Sequence, residues 1–144
     1  AQSHSLAASA EEIEQFLDQQ DAQLTAEDEQ QDTMTRSERL EHAAMRRHNA
    51  ARAIQNWKVN AALYADHGGR IAAGQQGPVP LDAQRALLQD AQGSGDFRVL
   101  DLSIVDAFWN YFDKPPQNTV APAHSPQARD AFSSPPWAKK TAAP

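Results

Sequence analysis

The sequence predicts an all-α fold, and three features of its 144 residues indicate this class. From Ser37 to Asp66 the chain is rich in alanine and has neither glycine nor proline, which is typical of a long helix. Four glycines and one proline then fall within residues 67–78, so the helix has to end there. Large apolar residues recur at helical spacing in residues 102–112. We therefore expect a long-helix hairpin with two shorter helices packed at one end, plus an extended Pro-rich C-terminal tail.

The first helix is predicted over residues 9–24, after a flexible start at residues 1–8. Ser9 and Glu12 have the spacing of a capping box, in which each side chain accepts a hydrogen bond from the backbone of the other residue. Ile13 and Phe16 begin an apolar stripe at near-helical spacing. The helix and its surroundings are acidic, because residues 1–35 contain nine Asp and Glu and no Lys or Arg.

The second helix is predicted over residues 36–66, with Thr35 and Glu38 as a second capping box. Residues 36–58 contain six Lys and Arg against two Glu, so this part of the helix is basic. Its stripe of alanines would allow another helix to approach closely. We therefore expect the acidic helix to dock antiparallel on the basic one; the alternative is an acidic helix that stays detached and binds another protein.

Two short helices are expected to complete a helical domain that ends at residue 113. Residues 70–73 are expected to be extended, and residues 74–80 to form a loop, because Pro78 and Pro80 lack the N–H that regular pairing needs. The short helices are predicted over residues 81–92 and 102–112. Residues 114–144 are rich in proline, alanine and serine and predict an extended tail.

Composition excludes several classes of function. A net charge of −6 disfavours nucleic-acid binding, which needs Lys and Arg to replace the counterions of the phosphates. No stretch approaches the roughly 20 apolar residues of a spanning helix, so no membrane insertion is expected. The absence of cysteine excludes disulfides, thiolate metal sites and thiol nucleophiles. The Ala1-Gln2 start without Met resembles a signal-peptide cleavage product and favours an exported protein, periplasmic or extracellular.

Protein binding is the function that the residues favour, with no cofactor. Aromatic residues crowd the last short helix, and a single helix in a small domain cannot bury every side of itself. We expect the contact residues to be two aromatics of that helix, two glutamines of the loop and two aromatics of the tail: Trp109, Tyr111, Gln75, Gln76, Phe132 and Trp137. Such a protein would be an accessory subunit, an inhibitor or an adaptor of a larger complex, with the partner and the oligomeric state left open.

Two alternatives come from other classes of function. A periplasmic metal-handling protein would use Glu38, His42 and Met45, which lie on successive turns of the long helix, as ligands. A small enzyme would have a cleft at the Gly-rich turn of residues 68–80, lined by Tyr64, His67, Arg70 and Asp82. Neither alternative has a recognisable catalytic or phosphate-binding motif to support it.

Overall fold

A computed structural model describes residues 5–23, 34–74, 77–115 and 120–138 of the chain. The chain divides into two compact units. Unit 1 takes the described residues up to Lys58 together with those from Pro135 onward, and unit 2 spans Val59–Ser134. Unit 1 is therefore discontinuous in sequence, because the end of the chain returns to it.

Helix α1 spans Ala10–Gln23 and belongs to unit 1. The predicted capping box is present at its start: Ser9 N donates to Glu12 Oε2 over 2.9 Å, and Glu12 N donates to Ser9 Oγ over 3.2 Å. These two bonds satisfy backbone groups that the first turn of a helix leaves without partners.

Helix α2 spans Arg36–His67 and contributes to both units. Its capping box is also present, with Thr35 N donating to Glu38 Oε2 over 2.7 Å and Glu38 N donating to Thr35 Oγ1 over 3.2 Å. At the other end, Gly68 has a φ of 62°, a backbone conformation that glycine adopts without strain. Ala50 and Ile54 are buried on this helix.

The expected long-helix hairpin is not what the structure shows. The N-terminal part of α2 is exposed on all sides; Leu40 is 64% exposed, and Ala43 and Ala44 are exposed with it. The contacts of α1 with α2 are made by long charged side chains: Arg46 with Asp21 at 2.6 Å, Lys58 with Glu12 at 2.8 Å, and Arg47 with Glu14. An alanine stripe permits close packing, but it supplies too little apolar area to require it.

The fold is also not purely α-helical, because unit 2 contains a three-stranded antiparallel sheet of order β2-β1-β3. Strand β1 is Ile71–Gly74, strand β2 is Gly77–Pro80 and strand β3 is Val120–Ala121. Ile71 pairs with Pro80 on one side and with Ala121 on the other. Residues 77–80, which the sequence predicts as part of a loop, therefore form an edge strand.

The prolines of β2 are compatible with the sheet because of their register. The pair that follows Ile71 and Pro80 along the ladder is Arg70 with Leu81. This pair is hydrogen-bonded, because Leu81 N donates to Arg70 O over 3.0 Å. Antiparallel pairs alternate between hydrogen-bonded and non-hydrogen-bonded positions, so Val79 faces Ala72 at a hydrogen-bonded position. Pro78 and Pro80 occupy the other positions, where an N–H would point away from β1 at the sheet edge.

Three further helices follow the hairpin of β1 and β2. Helix α3 spans Leu81–Ser94 and ends at Gly95, whose φ is 86°. A single 3-10 turn at Leu102–Ile104 leads into helix α4, Val105–Asp113, and helix α5 spans Pro126–Asp130.

The segment for which the sequence predicts an extended tail contains β3 and the short helix α5 within its described residues 120–138. Ser125 Oγ caps α5 by accepting from Ala128 N over 3.1 Å, and Ala128 is fully buried. The composition of this segment predicts an extended chain without regular structure. In the structure, Val120 and Ala121 pair with β1 along the edge that β2 does not occupy, which gives their backbone groups hydrogen-bond partners.

The core of unit 2 joins the sheet to the helices. Its buried apolar residues come from β1, β2, the first turn of α3, α4 and α5: Ile71, Ala72, Pro80, Leu81, Ala83, Phe112 and Ala128. One buried polar side chain, Asn60, accepts a hydrogen bond from Gln84 Nε2 over 3.1 Å.

Candidate protein-binding surface

Unit 2 presents four large apolar side chains to solvent within twelve residues. Leu100 is 78% exposed and Leu102 is 84% exposed, and Ile104 and Tyr111 are exposed as well. We call Leu100, Leu102, Ile104 and Tyr111 the apolar ledge. Single exposed leucines are common on protein surfaces, whereas several in one short segment are typical of a binding surface.

Hydrogen bonds of Asp101 fix the backbone of the ledge. Its Oδ1 accepts from Ser103 N over 2.9 Å and from Ser103 Oγ over 2.6 Å, and its carbonyl accepts from Ile104 N over 3.2 Å. These bonds form the 3-10 turn, and Leu100 and Leu102 are exposed on either side of Asp101 in the sequence. The ledge is therefore held by specific contacts.

Aromatic packing fixes the opposite face of α4. Phe112 is buried, and the ring centroids of Phe108 lie 5.9 Å from Phe112, 5.7 Å from Phe97 and 5.1 Å from Trp109. Phe112 O accepts a hydrogen bond from Arg70 Nη2 over 2.7 Å, which attaches the end of α4 to the residue before β1. Tyr111 is 38% exposed, and its ring packs edge-to-face on Phe112 with the centroids 5.3 Å apart.

Acidic residues are interspersed with the ledge residues in the sequence. Asp96, Asp101 and Asp106 are exposed near it in sequence, with Arg98 as the nearest basic residue. Hydrogen bonds from the Ser103 hydroxyl and N–H hold the pKa of the Asp101 carboxyl below its ordinary value. The segment that carries the ledge thus combines exposed apolar residues with exposed aspartates.

The six predicted contact residues lie in different environments. Tyr111 belongs to the ledge, and Trp109 is half-buried beside Phe108. Phe132 is half-buried with its ring 5.6 Å from Tyr64, whereas Trp137 is only 4% exposed and packs in unit 1. Gln75 and Gln76 lie outside the described residues.

Sequence reasoning did not identify the three aliphatic residues of the ledge. The sequence predicts Leu102 as the first residue of the last helix, since the spacing of apolar residues does not show that the helix begins only at Val105. The alternation of Leu100, Leu102 and Ile104 with Asp101 and Ser103 is the signal that could have indicated a separate segment.

Of the four residues proposed for an enzyme cleft, the structure brings two together, Arg70 and Asp82. Arg70 Nη2 lies 2.8 Å from Asp82 Oδ1, so these two side chains bind each other. Tyr64 packs on Phe132, and His67 is exposed at the end of α2. A depression of about 330 Å³ over the sheet is lined in the described residues by Ala, Gly, Ile and Pro, which carry no acid, base or nucleophile.

The residues proposed as metal ligands are exposed on α2. Glu38 uses its carboxylate to accept from Thr35 N, and the hydrogen bonds from Thr35 lower its pKa. His42 and Met45 are exposed. In the described part of the chain, no three His, Asp or Glu side chains come close enough together to hold a metal ion.

Comparison with protein-family models, with curated proteins and with solved structures finds no match for this chain. Among the described residues, no helix has both the length and the apolar character that crossing a membrane requires.

Proposed function

We propose that this chain is a non-enzymatic protein-binding module that attaches to its partner through the apolar ledge of unit 2. The observation that carries the proposal is the exposure of Leu100 and Leu102 beside a firmly packed aromatic face of α4. An accessory subunit, an inhibitor or an adaptor would use such a surface.

Exposed leucines favour association because their burial removes apolar area from water. Full burial of one leucine side chain contributes about 1.5–3 kcal/mol, so two would supply a large share of a micromolar affinity. The backbone of the ledge is already ordered by Asp101 and Ser103, so little conformational entropy remains to be lost on binding.

The exposure and charge of the ledge indicate the kind of partner. The exposed side chains of Leu100, Leu102 and Ile104 suit an apolar groove, and the aspartates interspersed with them in the sequence suit a groove with lysine and arginine at its rim. We therefore commit to a folded protein with a basic-rimmed apolar groove.

Site-specific photo-crosslinking tests the ledge. A photoreactive residue is placed at position 102, and in a matched chain at the exposed residue Gln89 of α3. After exposure to extract of the source cells, we expect a defined adduct from position 102 alone. The captured protein is then purified, and its affinity is measured for the wild type, Leu102→Ala and Gln89→Ala.

The affinity measurement decides the proposal. Leu102→Ala is expected to weaken binding about 10- to 100-fold and Gln89→Ala to leave it unchanged. Equal adducts from the two positions, or equal affinities of the two variants, would overturn the proposal.

A further inference from the structure

Helix α1 offers little apolar area for its own stabilisation. None of its described side chains is buried, and its large apolar residues Ile13, Phe16 and Leu17 are half-buried. With 14 residues, α1 also lies near the lower length limit for a helix that is stable alone in water. Contacts with other parts of the chain therefore have to keep α1 helical.

An aromatic side chain from the far end of the chain makes such a contact. Trp137 is only 4% exposed, and its ring centroid lies 6.1 Å from that of Phe16 in α1 and 5.4 Å from that of Trp57 in α2. The two pairs are tilted and edge-to-face, which are favourable arrangements for aromatic rings. Because a buried indole contributes more to stability than a partly exposed ion pair, this contact is a main attachment of α1 to α2.

The segment that carries Trp137 reaches unit 1 from unit 2. Phe132 belongs to unit 2, the next two residues, Ser133 and Ser134, are exposed, and unit 1 resumes at Pro135. The described residues after α5 form no helix or strand. Withdrawal of Trp137 from unit 1 therefore breaks no element of unit 2.

We propose that residues 135–138 form a clasp, which controls whether α1 is docked as a helix on α2. When Trp137 is inserted, α1 is helical and docked. When Trp137 is withdrawn, the three ion pairs of α1 with α2 are too weak to hold a 14-residue helix, and α1 changes from ordered to disordered. This device goes beyond the proposed function, since the clasp lies in unit 1 and the apolar ledge in unit 2.

The closed state is the major one in the intact chain. Opening separates the ion pairs and exposes more of Phe16, Trp57 and Trp137 to water, which costs free energy. The open state is therefore a minor local unfolding of unit 1, and loss of the indole makes it the dominant state.

Hydrogen exchange of the full chain with Trp137→Ala tests the clasp. We expect the α1 amides to exchange about 100-fold faster than in the wild type, whereas the amides of Ala72 and Val79 in the sheet keep their protection. Ser134→Ala, at an exposed position of the same segment, is the matched control and should leave α1 protected. Trp137→Phe restores an aromatic ring and should recover most of the protection.

A second measurement uses the wild-type sequence and needs no substitution that could disturb folding. A fluorinated tryptophan at position 137 reports the release of its indole by fluorine NMR. Exchange of the α1 amides is followed in the same series of urea concentrations, below global unfolding. Release of the indole and opening of α1 should coincide, at a lower urea concentration than opening of the sheet.

Any of three results refutes the clasp. Wild-type protection of α1 in Trp137→Ala would show that the indole does not hold this helix. Equal loss of protection in α1 and in the sheet would show that Trp137 supports the whole fold and does not control α1. In the urea series, opening of α1 while the indole is still in place would show that α1 is released without the clasp.

Discussion

At the scale of single residues, Asp82 organises the start of the sheet. Its Oδ2 accepts from Arg70 N over 2.7 Å and its Oδ1 from Arg70 Nη2 over 2.8 Å. A side chain at Gly69, where φ is 97°, would place its Cβ 2.5 Å from the Cβ of Asp82. Glycine at position 69 therefore allows the close approach of the carboxylate, which in turn fixes Arg70 against Phe112 O.

Replacing this carboxylate is expected to destabilise unit 2. Asp82→Asn should lower the free energy of unfolding by about 1–2 kcal/mol, because charge-assisted bonds to Arg70 are lost while their partial exposure limits the cost. Urea unfolding followed by circular dichroism measures the change. Asp90→Asn, at an exposed position of the same helix, is the matched control and should change stability little. Equal effects of the two variants would contradict this role.

The same contact predicts a dependence on pH. Hydrogen bonds from Arg70 hold the pKa of the Asp82 carboxyl below its ordinary value of 3.8. The carboxylate therefore stabilises the fold above that value, and its contribution is lost as the pH falls through the lower folded-state pKa. The stability difference between the wild type and Asp82→Asn should be constant from pH 7 to 5 and shrink between pH 4 and 2. A difference that grows on acidification would contradict the assignment.

At the scale of elements, the sequence predicts those structural features whose hydrogen-bond partners lie close together in the chain. The capping boxes at Ser9 and Thr35 form as predicted, because their partners lie three residues away. Strand β2 was not predictable from composition, since two of its four residues are prolines and only the register with β1 shows that their missing N–H groups are not needed. Strand β3 depends in the same way on a distant partner.

Parts of the candidate site can be predicted from the sequence in the same way, and other parts cannot. The exposure of Tyr111 could be anticipated from the aromatic content of its helix. The exposure of Leu102 could not, since it depends on the 3-10 turn that Asp101 forms. The burial of Trp137 could not be predicted from the sequence either, because the rings that it packs against, Phe16 and Trp57, are distant from it in the chain.

The register of β2 leads to a prediction for Val79. Val79→Pro should destabilise unit 2 by about 2–3 kcal/mol, because it removes a donor at a hydrogen-bonded position opposite the buried Ala72. Pro78→Val, one residue earlier, should cost less than about 1 kcal/mol, since its N–H would point away from β1. Denaturant unfolding of both variants measures the difference. A greater loss in Pro78→Val would show that the hydrogen-bonded positions are the opposite ones.

At the scale of the whole molecule, the two units are stabilised by different interactions. The sheet and the buried aliphatic and aromatic residues hold unit 2 together. In unit 1, α1 is attached through the packing of Phe16 on Trp137 and through the ion pairs of Glu12, Glu14 and Asp21 with α2. Exposed ion pairs contribute about 0–1 kcal/mol each and weaken with salt. Ionic strength should therefore affect the two units unequally.

Hydrogen exchange at low and high salt tests this inequality. Raising NaCl from 0.02 to 1 M, which shortens the screening length from roughly 20 Å to about 3 Å, should speed exchange of the α1 amides several-fold. The amides of Ala72 and Val79 should change little, because sheet hydrogen bonds and apolar burial protect them. Arg46→Gln with Arg47→Gln removes two of the ion pairs, so α1 should exchange faster at low salt and lose most of its salt response. Unchanged protection of α1 in both experiments would mean that the aromatic contact with Trp137 suffices to hold it.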